Sequence, residues 1–279
     1  GDWSSDVCSS DLFSEAEEAE EVVVDGEGAY AIPGLIDLHF HGCVGADVCD
    51  GTPEALKKIA QYEASVGVTA IAPATMTLPV EELEQILQNA AAYKRAQDEH
   101  RAANAAAGQS MQKAEQEADG MPEGKLEFPE ADLIGLNMEG PFISPVKKGA
   151  QDEKNIVPCN VEIAKRFLKA SEGLVKFIGI APEEDSVDMS LAHTNADYDT
   201  AMAAFTAGAN HAVHLYNAMP AFTHRAPGVI GAVADSKHVM AEIICDNVHI
   251  HPAVVRATFT MMGADRMILI SDSMRATGM

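Results

Sequence analysis

The chain has 279 residues, 47% of them hydrophobic, and a formal net charge of −24 from 43 acidic and 19 basic residues. This charge argues against a nucleic-acid partner, because neutralising phosphates requires clustered lysine and arginine. No apolar run approaches the ~18 residues of a membrane span, and no signal pattern opens the chain, so we expect a cytoplasmic protein without a membrane partner. The cysteines show no C-x-x-C spacing that would indicate a zinc ribbon or a disulfide framework.

The N-terminal residues divide into two short segments. Residues 1–12, GDWSSDVCSSDL, differ in composition from the rest of the chain and can be back-translated codon for codon into a common sequencing adapter. We interpret them as an artefact and set them aside. The family resemblance described below implies that residues 13–32 are the remnant of a small β-sandwich domain, of which Val22–Val24 and Ala29–Ile32 could be the remaining strands.

From Ile32 onward, short apolar runs alternate with amphipathic stretches, which is the pattern of βα units around a parallel sheet. The runs predicted to be strands are Leu35–Phe40, Val68–Pro73, Asp132–Met138, Val175–Ala181, Val187–Ala192, His211–Leu215, Glu242–Cys245 and Met267–Ile270. Eight parallel strands over residues 33–279 predict an α/β fold of the (β/α)₈ TIM-like barrel type.

Helices are predicted between most of these strands. Pro53–Val66 has Thr52 as its N-cap, and Tyr198–Ala207 ends at Gly208. The Ala/Gln/Glu-rich stretch Tyr93–Pro129 has weak apolar periodicity, so we expect a helical extension followed by a mobile acidic loop.

Two features indicate an incomplete barrel. Only Pro182–Ser186 separates the fourth and fifth runs, whereas a crossover between parallel strands needs roughly a dozen residues. The chain also ends at Met279, a few residues after the eighth run. We therefore expect a missing helix at the fourth crossover and a fragment truncated at its C-terminus.

A pair of histidines, His39 and His41, lies at the end of the first predicted strand in IDLHFHG. Side chains two apart on a strand point to the same side, so both imidazoles are expected at the sheet edge that carries active sites in barrels. Alone, the pair is a weak signal, because strand histidines are more often hydrogen-bonded core groups.

Later strand ends supply further candidate ligands, namely Glu139, His193 and His214. Imidazole and carboxylate suit Zn²⁺ or Fe²⁺, and catalytic sites keep one position open beside about three protein ligands. A metal there would acidify water and polarise an amide carbonyl. Asp272, after the eighth strand, is placed to act as general base and then as general acid.

These residues resemble one family, the N-acetylglucosamine-6-phosphate deacetylases of the amidohydrolase superfamily. The matching stretches are PGLIDLHFHG, MEGPFISPVKKGAQ, APEED, AHTNAD, HLYNAMPAFTHRAPGVIGA, CDNVHIHP and ILISDSMRATG. The resemblance implies hydrolysis of the acetamide of N-acetylglucosamine 6-phosphate to glucosamine 6-phosphate and acetate. It also implies a cytoplasmic homodimer in the intact parent protein.

The resemblance also implies roles for individual residues. The principal metal site falls on Glu139, His193 and His214, and the catalytic acid/base falls on Asp272. His39 and His41 imply a second ion, so the cofactor is one or two divalent ions, Zn or Fe. Implied substrate contacts are Ala150, Gln151, Asn217, Ala218, Arg225, Asp246, Asn247, Val248 and His249.

Within that set, Arg225 is the natural phosphate partner, because a guanidinium binds phosphate oxygens bidentately. His249 is the implied ligand of the reacting carbonyl, and His251 is an equally plausible imidazole if the register slips. Two alternatives to the deacetylase stay open. One is a dihydroorotase-like or aminoacylase-like amidohydrolase, and the other is a non-catalytic fragment that binds metal or partners.

Overall fold

The computed structural model describes residues 30, 32–114, 130–184 and 190–279, without the side chains of residues 105–114. The chain divides into two units, Gly1–Pro33 and Gly34–Met279. In the first unit only Tyr30, Ile32 and Pro33 are described, and they belong to no helix or strand. Residues 1–12 and the predicted strand Val22–Val24 lie outside the described residues.

The second unit is built around a curled parallel sheet. Its strands are β1 (Leu35–Asp37), β2 (Gly42–Cys43), β3 (Ala46–Asp47), β4 (Val68–Ile71), β5 (Ala74–Thr75), β6 (Asp132–Leu133), β7 (Leu136–Phe142), β8 (Val175–Ile180), β9 (Ser190–Leu191), β10 (His211–Ala212), β11 (Met240–Ile244) and β12 (Met267–Ile270). The parallel strand orders are β1-β4-β6 and β12-β11-β10-β9-β8-β7-β5, and β2 and β3 form an antiparallel hairpin. Each of the eight predicted strands contains strand residues. The second strand continues beyond its predicted run as a separate segment, β5, and the third run is split into β6 and β7.

Backbone hydrogen bonds connect the segments beyond the regular ladders. Ala74 N donates to Phe40 O at 2.7 Å, which continues the pairing between the first and second strand segments. Asp272 N donates to His39 O at 2.9 Å, and His41 N donates to Ser273 O at 2.7 Å. The chain after β1 is therefore tied to the chain after β12, and the last strand segment lies beside the first.

The helices pack outside the strands. They are α1 (Pro53–Ser65), α2 (Val80–Ala114), α3 (Val161–Ala170), α4 (Tyr198–Ala207), α5 (Gly228–Asp235) and α6 (Pro252–Met262). The Thr52 hydroxyl accepts from Ala55 N at 3.2 Å, which confirms the predicted cap of α1. Gly208 ends α4 at φ 124°, in a region that favours glycine. Among the described residues, no helix is long and apolar enough to cross a bilayer.

The predicted helical extension after Tyr93 is present as far as Ala114, where the described part of α2 ends. Gln97 anchors this helix to the sheet. Its amide nitrogen donates to Ala131 O at 3.0 Å, and its amide oxygen accepts from Leu133 N at 3.0 Å. The rest of the predicted acidic loop, residues 115–129, lies outside the described residues.

The fourth crossover is short. β8 and β9 are parallel neighbours, with Gly179 paired to Ser190 and Ile180 paired to Leu191. The connection comprises residues 181–189, of which 181–184 are described and contain a turn. No helix is found in the described part of the connection, and a groove of about 430 Å³ lies outside β8 between α3 and the end of α4.

Buried apolar side chains form two clusters. The first contains residues between Phe40 and Ile180, and the second contains residues between Leu191 and Met262. The boundary between the clusters falls at the short connection after β8. Both clusters pack strands against helices, as a sheet with one outer helical layer requires.

Candidate metal centre

The predicted ligands lie at one edge of the sheet. His39 follows β1, Glu139 lies within β7, His193 follows β9 and His214 follows β10. Because these strands are parallel, their carboxyl ends meet at the same edge, and the side chains converge there. Asp272 follows β12 at the same edge.

Glu139, His193 and His214 form the first group of ligands. Glu139 Oε1 lies 2.7 Å from His193 Nε2 and 2.8 Å from His214 Nε2, and the two imidazole nitrogens lie 3.0 Å apart. All three residues are buried, and their ligand atoms lie within 4.8 Å of one another. The predicted principal ligand set is therefore assembled in space.

His39, His41 and Glu139 form a second group, whose ligand atoms also lie within 4.8 Å of one another. Glu139 Oε2 lies 3.1 Å from His41 Nε2, and Glu139 Oε1 lies 3.7 Å from His39 Nε2. The two groups share Glu139, whose two oxygens face imidazoles of both groups. One carboxylate therefore contributes an oxygen to each group.

The tautomers of these rings are suited to a metal ion. His193 Nδ1 lies 3.0 Å from Lys147 O, and His41 Nδ1 lies 3.0 Å from Ala74 O. A carbonyl oxygen only accepts, so Nδ1 carries the proton in both rings, and in the neutral rings Nε2 is a lone pair. These lone pairs face Glu139, so positive charge, as a proton or a metal ion, must lie between them.

The electrostatics of the group also favour a cation. Burial alone would raise the pKa of Glu139, but the imidazoles of His193, His214 and His41 hold it well below its usual range. Burial alone would lower the pKa of His39, but Glu242, Glu139 and Asp272 together raise it to about 10. The described residues therefore fit a divalent cation held by nitrogen and oxygen ligands.

Asp272 adjoins both groups. Its Oδ1 lies 3.5 Å from His41 Nε2 and 3.9 Å from His39 Nε2. The carboxylate lines a cavity of about 230 Å³ together with Glu139, His193 and His214. A carboxylate is therefore placed within reach of a ligand that enters this cavity.

Several predicted substrate contacts line this cavity, namely Ala150, Gln151, Asn217, Ala218 and His249. Gln151 also has a supporting role, because its Nε2 donates to Glu139 Oε2 at 2.6 Å and its Oε1 accepts from Thr77 N at 2.6 Å. Gly149, at φ 56°, lies close to the His193 ring: an added Cβ would lie 3.1 Å from it, so the ring would have to shift by a few tenths of an ångström.

The other predicted contacts lie elsewhere. Asp246 accepts from His249 Nδ1 at 2.8 Å and orients that ring, whereas Asn247 and Val248 are exposed and do not line the cavity. Arg225 lines a separate cavity of about 440 Å³ with Asp197 and Asp199.

His251, the alternative to His249, accepts from Ala253 N at 3.2 Å and caps α6. His249, by contrast, lines the cavity beside the candidate ligands, and His251 does not.

Backbone conformation at the strand ends is unusual. His193, His214 and Asp272 have φ of 42°, 29° and 49°, which side-chain-bearing residues rarely adopt. Such residues cluster at functional sites, where the surrounding structure holds them against local strain. Here the conformation turns each side chain from the strand into the cavity.

Sequence reasoning missed two buried polar residues beneath the site, Glu242 and His211. Glu242 is fully buried in β11, and it contacts His39 and His211. The one available signal was an acidic residue inside the apolar strand Met240–Ile244, because carboxylates are almost never fully buried without partners.

No protein-family model matches the chain. N-acetylglucosamine-6-phosphate deacetylase from Bacillus subtilis (strain 168) is 35% identical over 260 residues, which cover 89% of this chain and 59% of the relative. N-acetylgalactosamine-6-phosphate deacetylase from Escherichia coli O157:H7 is 29% identical over 269 residues, with 92% and 63% covered. The chain thus spans about three fifths of the length of these relatives.

A solved structure is also similar. It is a mutant N-acetyl-D-glucosamine-6-phosphate deacetylase from Mycobacterium smegmatis in complex with N-acetyl-D-glucosamine-6-phosphate. The TM-score is 0.73 at 28% identity, and the match covers 89% of this chain and 59% of that one.

Proposed function

We propose that this chain, which is homologous over most of its length to the N-acetylglucosamine-6-phosphate deacetylases, carries their hydrolytic site. The reaction is hydrolysis of the acetamide of N-acetylglucosamine 6-phosphate to glucosamine 6-phosphate and acetate. The observation that carries this proposal is the pair of ligand groups that share Glu139, with Asp272 beside them in one cavity.

The ligands would hold one or two divalent ions, Zn or Fe. Glu139, His193 and His214 would hold the first ion, and His39, His41 and Glu139 the second. When bound, such an ion would supply Lewis acidity to the amide carbonyl and lower the pKa of water. His41 and His193 are held for this purpose by the carbonyls that fix their Nδ1 protons.

Asp272 would act on the protons of the reaction. Its carboxylate takes a proton from the attacking water and returns it to the leaving amine, so one group serves both steps. The cavity leaves this side chain 19% exposed, which allows contact with a substrate. The unusual backbone at Asp272 supports this role, because it directs the carboxylate towards His39 and His41.

The remaining predicted residues would bind the sugar. Ala150, Gln151, Asn217, Ala218 and His249 line the catalytic cavity, and Asp246, Asn247 and Val248 belong to the loop that carries His249. His249 would contact the reacting carbonyl. Arg225, which is on the same loop as Ala218, would pair with the phosphate; it lines the separate cavity that also contains Asp197 and Asp199.

The wider proposal concerns the whole protein. The curled parallel sheet would be part of a (β/α)₈ TIM-like barrel truncated at its C-terminus, with residues 13–32 as the remnant of a small β domain. The parent protein would be a cytoplasmic homodimer in amino-sugar catabolism. The similarity in fold to the Mycobacterium smegmatis enzyme supports the barrel.

A second candidate substrate is N-acetylgalactosamine 6-phosphate, because one similar protein bears that name. The two sugars differ only in the orientation of one ring hydroxyl. A third candidate, a fragment that binds metal without turnover, is favoured by the fact that the chain spans about three fifths of its relatives. One set of assays separates all three.

The experiment measures bound metal and acetate release by the purified chain. We expect bound divalent metal, and acetate release from N-acetylglucosamine 6-phosphate that exceeds release from N-acetylglucosamine and from the galactose epimer. Faster release from the epimer would favour the second candidate. Metal without acetate release from any of these sugars would favour the inactive fragment.

Asp272→Asn tests the assigned acid/base. We expect loss of activity by about 10²–10⁴-fold with bound metal retained, because an amide neither takes nor returns the proton. Asp265→Asn is the matched control, because Asp265 is exposed before β12, whereas Asp272 follows the other end of that strand. Unchanged turnover in Asp272→Asn would refute the assignment.

A further inference from the structure

Glu242 is a fully buried carboxylate with three described donors. Its Oε2 accepts from His39 Nδ1 at 2.9 Å and from His214 N at 3.1 Å, and its Oε1 lies 2.8 Å from His211 Nε2. Three N–H groups thus converge on its two oxygens, so the carboxylate is an acceptor beneath the metal ligands. It does not line the cavity.

This carboxylate selects the tautomer of His39. Glu242 Oε2 already accepts from His214 N, and as an acceptor it also takes the N–H of His39, so His39 Nδ1 carries a proton and points it at Glu242. The amide of Asn137 lies 3.3 Å from the same nitrogen, but the 2.9 Å bond to a charged oxygen is the stronger one. The opposite tautomer would direct a proton into the space that a second ion needs.

The other ring nitrogen of His39 supports this interpretation. His39 Nε2 is buried and has no hydrogen-bond partner, and the ring as a whole is 0% exposed. It points towards Glu139 Oε1 at 3.7 Å and Asp272 Oδ1 at 3.9 Å. A buried nitrogen without a partner is costly unless it has a ligand. His39 Nε2 faces the space enclosed by the group His39, His41 and Glu139, where a second ion would lie.

His211 in turn fixes Glu242. Its ring stacks at 4.8 Å between centroids on Phe177, and only 3% of the residue is exposed. His211 does not line the catalytic cavity, so it has no direct access to a ligand there. The contacts therefore run from Phe177 through His211 and Glu242 to His39.

We infer that Glu242, oriented by His211, is the positioning residue that fixes His39 as a ligand and so controls binding of the second ion. This inference rests on the proposed function, because it concerns the metal site of that reaction. Glu242 acts through His39 and is not a catalytic residue. Such supporting contacts typically change metal affinity by about 10–100-fold when they are removed.

The test counts ions in the purified full chain. Samples stripped of metal are titrated with Mn²⁺ and Zn²⁺, and bound ions are measured by mass spectrometry after dialysis. We expect two ions in the parent, and in Glu242→Gln a loss of affinity of about 10–100-fold for the second ion with the first retained. Two ions bound by Glu242→Gln with parental affinity, or a single ion in the parent, would overturn the inference.

A double-mutant comparison separates positioning from a general effect on folding. Because Glu242 is proposed to act through His39, Glu242→Gln should have no further effect on metal affinity once His39→Asn is present. Additive losses would contradict that route. Glu63→Gln, which removes a buried carboxyl whose partners are Cys43 and Asp37, is the matched control and should bind two ions.

His211 offers a pair of variants with opposite expectations. His211→Gln keeps an N–H donor near the position of Nε2 and should retain the second ion, whereas His211→Leu removes the donor and should lose it. Equal metal content in both variants would contradict the orienting role of His211. Absence of any ion in the parent chain would instead refute the proposed function itself.

A readout without metal completes the design. In the metal-free parent, nitrogen-detected NMR should show a proton on His39 Nδ1 with a strongly downfield shift, and Glu242→Gln should shift that Nδ1 proton upfield. An unchanged His39 spectrum in Glu242→Gln would overturn the inference independently of any activity.

Discussion

The two apolar cores of the second unit are built differently. The core between Phe40 and Ile180 contains large side chains such as Phe142 and Phe167, whereas the core between Leu191 and Met262 is rich in alanine and valine with one phenylalanine, Phe205. Small residues allow strands and helices to approach closely, and large ones fill a wider space. The candidate metal centre belongs to neither core.

The candidate metal centre instead connects two regions of the second unit through polar contacts. The first region carries the core between Phe40 and Ile180, and the second carries the core between Leu191 and Met262. Glu139 of the first region faces His193 and His214 of the second, and Glu242 of the second region faces His39 of the first. Each core is closed by apolar contacts within itself, but the two are connected at this edge by charged and hydrogen-bonded groups. A substitution in the candidate metal centre is therefore expected to change both stability and activity, whereas a substitution in one core is expected to change stability alone.

Glu139→Gln should disrupt the contacts of Glu139 with His193 and His214 and have the largest effect on metal binding and activity. The neutral amide neither neutralises the imidazoles nor bridges two ions, so we expect loss of both bound ions and of detectable activity. Metal analysis and acetate release measure this. Glu183→Gln is the control, because Glu183 accepts from Thr194 and Asn195 near the same edge without contacting the described imidazoles; full metal content in Glu139→Gln would contradict the shared-ligand geometry.

Arg266→Met should weaken the second core alone. The Arg266 guanidinium donates to Val233 O, Ser236 O and Val239 O at the end of α5 and the turn after it. Loss of these bonds leaves three buried carbonyls without that donor, and we expect a loss of about 3 kcal/mol in the free energy of unfolding. Urea denaturation measures it, and Arg256→Met on the exposed face of α6 should change stability by less than about 0.5 kcal/mol.

Glu63→Gln should change how the stability of the first core depends on pH. Burial, followed by the charge of Asp37, raises the pKa of Glu63 to about 7. Because the folded state binds the proton more tightly than the unfolded state, stability falls as pH rises from about 4.5 to 7. Glutamine does not ionise, so the variant avoids the cost of a buried negative charge.

At pH 8, Glu63→Gln should therefore be more stable than the parent by on the order of 3 kcal/mol, and near pH 4.5 the two should be equal. Thermal unfolding at both pH values measures the difference. A gain of the same size at both pH values would show that packing, rather than ionisation, is responsible.

Thr52→Ala should produce the smallest effect. The change removes the hydroxyl that accepts from Ala55 N, and N-cap losses cost about 1 kcal/mol. The destabilisation should appear in urea denaturation, with bound metal unchanged. Thr52→Ser keeps the acceptor and should behave like the parent; an equal loss in both variants would point to the methyl group instead.

Much of the fold follows from local patterns. The strand Met267–Ile270 and the helix Tyr198–Ala207 have the predicted bounds, because apolar runs and caps are encoded in adjacent residues. The split of the second and third strands was not predicted, since it depends on how neighbouring strands curl. The convergence of His39, His41, Glu139, His193 and His214 was predicted from strand ends alone.

Glu242 shows why the rest of the site was not predictable. Its partner His39 is 203 positions away in the chain, and its own surroundings read as an ordinary buried strand. The tautomer of a ring depends on which acceptor meets it in three dimensions. Arg225 illustrates the same limit, because its position relative to the cavity depends on a loop whose path the sequence does not encode locally.

The nine-position connection between β8 and β9 has a consequence for engineering. The groove of about 430 Å³ beside it is lined by residues of α3, β8 and the end of α4, and by none of the candidate ligands. A helix spliced into this connection would therefore fill exterior space while the inner strands keep their register. The outer helical layer can therefore gain or lose a helix at this connection. A shift of one residue in β9, by contrast, would turn His193 out of the cavity.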